Sequence, residues 1–123
     1  MTTRIKAIIP KRGEVYLVNF DPTIGSEIKK TRHALIVQND IANQYSSVTI
    51  VAALTSQYGE QLYPTEVLIQ HPEGGLEHDS VVLLSQIRTI DKTRLIKRMG
   101  VVNQETIKRA DRALEISLGL FEM

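Results

Sequence analysis

A chain of 123 residues has the length of one domain. With 42% hydrophobic and 24% charged residues it can bury a core and need not be disordered, and the absence of cysteine excludes disulfide staples and thiolate metal sites. The net charge of +1 conceals a pattern: residues 1–32 carry seven Lys/Arg against three Asp/Glu, residues 33–80 six Asp/Glu and no Lys/Arg, and residues 81–123 eight Lys/Arg against five Asp/Glu. Two basic ends brought to one face would attract an anion; surface scatter is the other reading.

No N-terminal stretch reads as a signal peptide, and no apolar run approaches the roughly 18 residues of a membrane span. A cytoplasmic protein without a membrane partner is the expectation. "GEVYLVNF" (13–20) is rich in Val, Tyr and Phe and predicts a strand, ended by Asp21-Pro22 because proline removes a ladder donor. A polar loop around Gly25 leads through Thr31 and Arg32 into "HALIVQ" (33–38), a short apolar run that predicts a buried strand. "NDIANQYSS" is a polar connection with room for one helical turn. Strands follow at 48–55 ("VTIVAALT") and 65–69 ("TEVLI").

"QHPEGGLEHD" (70–79) is turn chemistry, with a proline and two adjacent glycines. A long strand is predicted over 80–90. Asp91 then reads as the N-cap of a short helix, "KTRLIK", before a last strand at 98–102. Asn103 is the expected cap of a helix over 104–121, where Ile107, Ala110, Leu114, Leu118 and Phe121 form an apolar stripe widened by Ile116 and Leu120. Short strands, turns and a terminal helix predict a single domain over 1–123. Its fold class is mainly β: a small antiparallel barrel with an appended helix.

His71 and His78 flank "PEGGLE" close to Glu73, Glu77 and Asp79, at a spacing that matches no standard zinc pattern, so no metal is expected. No phosphate-cradling Gly-rich loop and no nucleophile elbow is present. Arg32 and Thr55 stand out because both end strands, where a rigid scaffold can hold a side chain accessible. Arginine presents a planar fork of donors that fits phosphate, and a hydroxyl adds another donor. The pair can therefore stabilise a phosphoryl transition state. The alternative is a surface ion pair between Arg32 and Glu27, with Thr55 serving strand propensity.

The ordered set "RGEVYLVNFDPTIGSE" (12–27), "TRHALIVQND" (31–40), "TIVAALTSQ" (49–57) and "HDSVVLLSQIRTID" (78–91), with the amphipathic last helix, resembles the MazF/PemK-type toxins. These are the mRNA endonuclease halves of bacterial type II toxin–antitoxin pairs. The resemblance implies an SH3-like antiparallel barrel, a homodimer, a cognate acidic antitoxin and cofactor-free cleavage of single-stranded RNA. It assigns Arg32 and Thr55 to the family's catalytic arginine and threonine, and Glu27 to an acidic loop residue implicated in some members. Ser26, Lys29 and Lys30 of the same loop, with Gln57 and Gln86, fall to substrate binding. The family usually has proline directly after the arginine; here the residue is His33. CcdB-type gyrase poisons, which share the fold and cut no RNA, and an attenuated or inactive toxin domain are the alternatives.

Overall fold

The computed structural model describes residues 8–22, 25 and 30–121. Six strands form one sheet: β1 (Glu14–Asn19), β2 (Thr31–Ile36), β3 (Val48–Thr55), β4 (Glu66–Ile69), β5 (Ser80–Asp91) and β6 (Leu95–Val101). Every neighbouring pair is antiparallel, in the order β4-β5-β3-β2-β1-β6. Helix α1 (Asp40–Tyr45) joins β2 to β3, and α2 (Gln104–Ser117) follows β6. The expected fold class is observed, a mainly β chain with a C-terminal helix, although β4 and β6 remain edges of an open ladder.

The sheet is buried on both faces, which explains the uninterrupted apolar run in β2. Leu35 joins Val15, Ala52, Leu54 and Val82 in a cluster completed by Ala110 and Ala113 of α2. Its neighbours Ala34 and Ile36 join Tyr16, Val18, Val51 and Ala53 in a second cluster, closed by Ile90 and Leu95. Strand β5 makes this possible by bending. Its register with β3 runs Thr55↔Val81 and Leu54↔Val82, then resumes at Ala52↔Ile87, leaving residues 83–86 opposite Ala53 alone. A bulge of this kind curls a sheet on itself.

The gap between the two edges is bridged by backbone rather than by a ladder. The turn after β4 lays Gly74 and Gly75 against Met99 and Gly100 of β6. A Cβ on Gly75 would stand 2.1 Å from the Met99 carbonyl oxygen, and one on Gly100 would stand 2.6 Å from the Gly74 carbonyl carbon. Gly75 also has φ +74, a left-handed conformation costly for any residue with a side chain.

Two expected elements end elsewhere. Asp91 does cap a turn, accepting from the Thr93 N–H at 2.8 Å, but this 3-10 turn covers only Lys92–Arg94. Leu95 is drawn into β6 because it fills the core opposite Val18, 4% exposed. Helix α2 starts at its expected cap, with the Asn103 side chain accepting from the Thr106 N–H, and stops at Ser117 before Gly119 at φ +72. The stripe therefore divides: Ile107, Ala110 and Leu114 pack on the core, while Leu118 and Phe121 are exposed.

The bridge yields a stability prediction. Gly75→Ala should lower unfolding free energy by about 2–4 kcal/mol, from strain at positive φ plus a clash with rigid backbone. Gly59→Ala, where a Cβ meets nothing closer than 3.8 Å, should stay within about 0.5 kcal/mol. Urea denaturation of both variants checks this; equal midpoints would show that the turn does not rest on β6.

Candidate active site

The register of β2 and β3 leaves the two singled-out residues at neighbouring strand ends. The ladder pairs Ile36↔Val51, Leu35↔Ala52 and Ala34↔Ala53, and Arg32 and Thr55 each lie two residues beyond its last pair. Strand side chains alternate between faces, so Arg32 follows the face of Ala34 and Thr55 that of Ala53. The Thr55 hydroxyl is partly engaged at its strand end: it accepts from the Gln57 N–H at 3.1 Å and donates to the Gln57 carbonyl at 3.2 Å. Gln57 is exposed beyond it.

Arg32 is steadied by the base of the loop that precedes it. Asn19, opposite Thr31 in the β1–β2 ladder, Phe20 and Asp21 lie at the end of β1, beyond the reach of β6. Three successive carbonyls there would lack ladder partners, and arginines supply them. The Arg88 guanidinium donates to the Phe20 carbonyl at 3.0 Å and lies 5.7 Å from the centre of the Phe20 ring. Arg94 donates to the Asn19 carbonyl at 3.0 Å and also to the Asp21 carbonyl. The far side is closed at Lys30, whose N–H donates to the Asp21 carboxylate at 2.9 Å and whose carbonyl accepts from the Phe20 N–H at 2.9 Å. Lys30 takes φ 65, so the chain turns sharply into Thr31 and Arg32.

Beside Arg32 opens a cleft of ≈ 270 Å³. Its wall is apolar, from Leu17, Leu54 and Leu76, and its polar lining includes His33, Ser56 and Glu77. Leu76 and Glu77 directly follow the glycine bridge, which hangs them over the ends of β1, β2 and β3. His33 pairs with Leu17 in the ladder. Burial holds the His33 imidazole below its ordinary pKa, and the nearby Glu77 carboxylate opposes that shift.

Of the other residues singled out, Ser26, Glu27 and Lys29 lie outside the described residues. Gln86 is exposed within the β5 bulge, and Lys30 is exposed at the loop base. His71 and His78 do not form a metal centre with their neighbours: among the described residues no three His, Asp or Glu side chains converge to hold an ion. The backbone N–H of His71 instead donates to the Asp79 carboxylate at 2.9 Å. Arg88 and Arg94 were missed as site residues. Their signal in the sequence is only that arginines interrupt the segment "QIRTIDKTRL", and charged residues there equally fit a solvated strand face. Among the described residues no helix is long and apolar enough to cross a membrane.

The chain matches the PemK-like, MazF-like toxins of type II toxin–antitoxin systems over residues 11–118. It is 45% identical over 115 residues to Endoribonuclease EndoA of Bacillus subtilis (strain 168), covering 94% of this chain and 99% of that protein. Its fold is similar to that of MazF from Deinococcus radiodurans, with 24% identity, a TM-score of 0.79 and coverage of 91% of this chain and 98% of that one. It is also similar to an endoribonuclease in complex with its cognate antitoxin from a mycobacterial species, with 25% identity, a TM-score of 0.77 and coverage of 93% and 99%.

The arginine clamp is testable without any substrate. Arg94→Ala removes two hydrogen bonds from a charged donor and should lower stability by about 1–3 kcal/mol. It should also speed tryptic cleavage after Lys30, several-fold beyond what the lost stability alone explains. Thermal melts and mass-resolved limited proteolysis read the two effects; an unchanged rate at Lys30 would show that Arg94 does not hold the loop base.

Proposed function

The chain belongs to the PemK-like, MazF-like toxin family of type II toxin–antitoxin systems, and from that premise we propose that it is an endoribonuclease that cuts single-stranded mRNA without a metal ion. The observation that carries this reading is that Arg32 and Thr55 end the adjacent strands β2 and β3, each two residues beyond the pair Ala34↔Ala53.

Cleavage by this pair needs no enzyme nucleophile. The 2′-OH of the RNA attacks its adjacent phosphorus, the O2′–P bond forms and the P–O5′ bond breaks. The products are a 2′,3′-cyclic phosphate and a free 5′-OH. The Arg32 guanidinium neutralises the extra charge of the phosphorane, and the Thr55 hydroxyl donates to a phosphate oxygen. The 2′-OH proton passes to a base, for which Glu27 in the loop before Arg32 is the candidate, because an already protonated guanidinium has no site to accept it. The leaving 5′ oxygen takes a proton in turn, with Arg32 the donor at hand. DNA is spared because it lacks the attacking hydroxyl. Ser26, Lys29, Lys30, Gln57 and Gln86 are assigned to holding the strand, the lysines by attraction to its backbone.

The protein works in the cytoplasm as a homodimer restrained by an acidic antitoxin. Support for an antitoxin comes from the similar mycobacterial endoribonuclease solved in complex with its own. Support for the dimer comes from the exposed end of the apolar stripe, where Leu118, Leu120 and Phe121 stand 55%, 74% and 37% accessible.

Incubation of the pure chain with single-stranded RNA in EDTA should give fragments ending in cyclic phosphate. Arg32→Ala should abolish cutting and Thr55→Ala should lower kcat by about 10²-fold, the usual cost of removing one donor to a developing oxyanion. Both should stay folded. A folded Arg32→Ala protein that cuts at the parent rate would sink the assignment, and intact RNA with the parent chain would favour a protein-binding poison on the same fold. Light scattering at micromolar concentration should give about twice 13.8 kDa; a clean monomer would refute the dimer.

A further inference from the structure

The short helix α1 is anchored by an amide rather than by apolar packing. Asn43 is its buried residue, while Ile41 and Tyr45 stand exposed. The Asn43 carboxamide nitrogen donates to the Gln38 carbonyl at 2.9 Å. Its oxygen accepts from the Gln38 side chain at 3.0 Å and from the Thr49 hydroxyl at 2.7 Å. Gln38 donates onward to the Val48 carbonyl at 3.0 Å, and all three side chains are buried. A satisfied buried network of this kind fixes one geometry, because a displacement leaves costly polar groups unpaired.

The 3-10 turn after β5 leans on this anchor. The Lys92 N–H donates to the Ser47 carbonyl at 3.0 Å. Its ammonium donates to the Asn43 main-chain carbonyl, one of those that the end of a helix leaves without an intrahelical partner. Two residues on, Arg94 reaches the other way, to the carbonyls of Asn19 and Asp21 at the loop base. Asp91 stiffens the turn between them, its carboxylate accepting from the Thr93 N–H at 2.8 Å and the Thr93 hydroxyl at 2.7 Å.

We propose that Lys92 is a positioning residue for RNA cleavage, which ties this turn to α1 so that Arg94 holds the base of the loop before Arg32 in one place. The inference rests on the RNA-cleaving reading above. Lys92 acts through Arg94 and not on the substrate. The tie is needed because residues 92–94 belong to no ladder: β5 leaves β3 at Asp91↔Val48, and β6 meets β1 at Leu95↔Val18. A long arginine side chain transmits position only when its own backbone is fixed. Lysine suits the task, since a cation is favoured at the carbonyl end of a helix. Reacting groups must be held within about 0.5 Å, so slack at the loop base reaches Arg32 as lost rate.

A double-mutant cycle tests this, with two readouts that separate it from the nuclease reading. Lys92→Met keeps the aliphatic stem and removes the donor, and the half-buried position tolerates it. On single-stranded RNA its kcat should fall by about ten-fold with KM less affected, the signature of misplaced rather than missing groups. Arg94→Ala should lose at least as much, and the double variant should cut no slower than Arg94→Ala, because the two residues act in series. Tryptic scission after Lys30, which needs no RNA, should follow the same pattern: several-fold faster in each single variant and no faster in the double. Ile107→Val, a change at the core face of α2, is the control for stability alone and should leave both readouts near the parent's. Intact RNA with the parent chain, beside the expected scission pattern, would remove the nuclease and keep the tie. Parent kcat and parent scission in folded Lys92→Met would overturn the role. Losses that multiply in the double variant would overturn it too, as would an equal loss in Ile107→Val.

Discussion

The organisation of the molecule depends on one backbone-on-backbone contact, where Gly74 and Gly75 rest on Met99 and Gly100. The sheet order leaves β4 and β6 as unpaired edges, and exposed edges invite pairing with other chains. Only residues without a side chain can close the gap at this distance. The same contact fixes where the chain goes next. Leu76 and Glu77 follow within two residues and become one wall of the cleft, and its other walls are the ends of β1, β2 and β3. A turn that sealed the fold by a looser packing of side chains would leave that wall undefined by an ångström or more, enough to spoil a binding site.

At the other end of β1 the solution is different because the need is different. Carbonyls of residues 19, 20 and 21 run past the last β6 pairing at Leu95. Guanidinium groups satisfy the carbonyls from the side without adding a strand. The Arg88 contact also covers the Phe20 ring, so the charge lies against a buried aromatic rather than in an apolar void. Ends of strands are where function concentrates, and here rigidity is supplied by side chains instead of by the sheet.

Much of the fold was legible in the sequence, for identifiable reasons. The five strands before residue 92 announce themselves by β-branched and aromatic runs bounded by Pro, Gly and Asn, and the caps at Asn103 and Asp91 are both observed. The segment 92–97 misled because a cap signal states where a turn starts and not how long it runs; long-range pairing of Leu95 with Val18 overrode it. The helix signal runs four residues past the end of α2 because the apolar stripe continues past Gly119 into residues that stay exposed. Arg32 and Thr55 could be chosen as strand ends, but that these ends adjoin requires the register, which a single sequence does not contain. Arg88 and Arg94 were hidden for the same reason: their partners are main-chain carbonyls more than 60 positions away.

The register also divides labour along β2. Its even-numbered residues Arg32, Ala34 and Ile36 face one cluster, and its odd-numbered residues His33 and Leu35 face the other. On the proposed reading, Arg32 at the strand end meets the phosphate. That placement has a structural condition. A slip of one residue between β2 and β3 would exchange the two faces and turn Leu35 toward the wrong core. The continuous burial of Ala34, Leu35 and Ile36, at 0%, 2% and 0% exposure, makes such a slip costly. The side chains would have to exchange cavities of different size, so the core of β2 is what fixes the register at its exposed end.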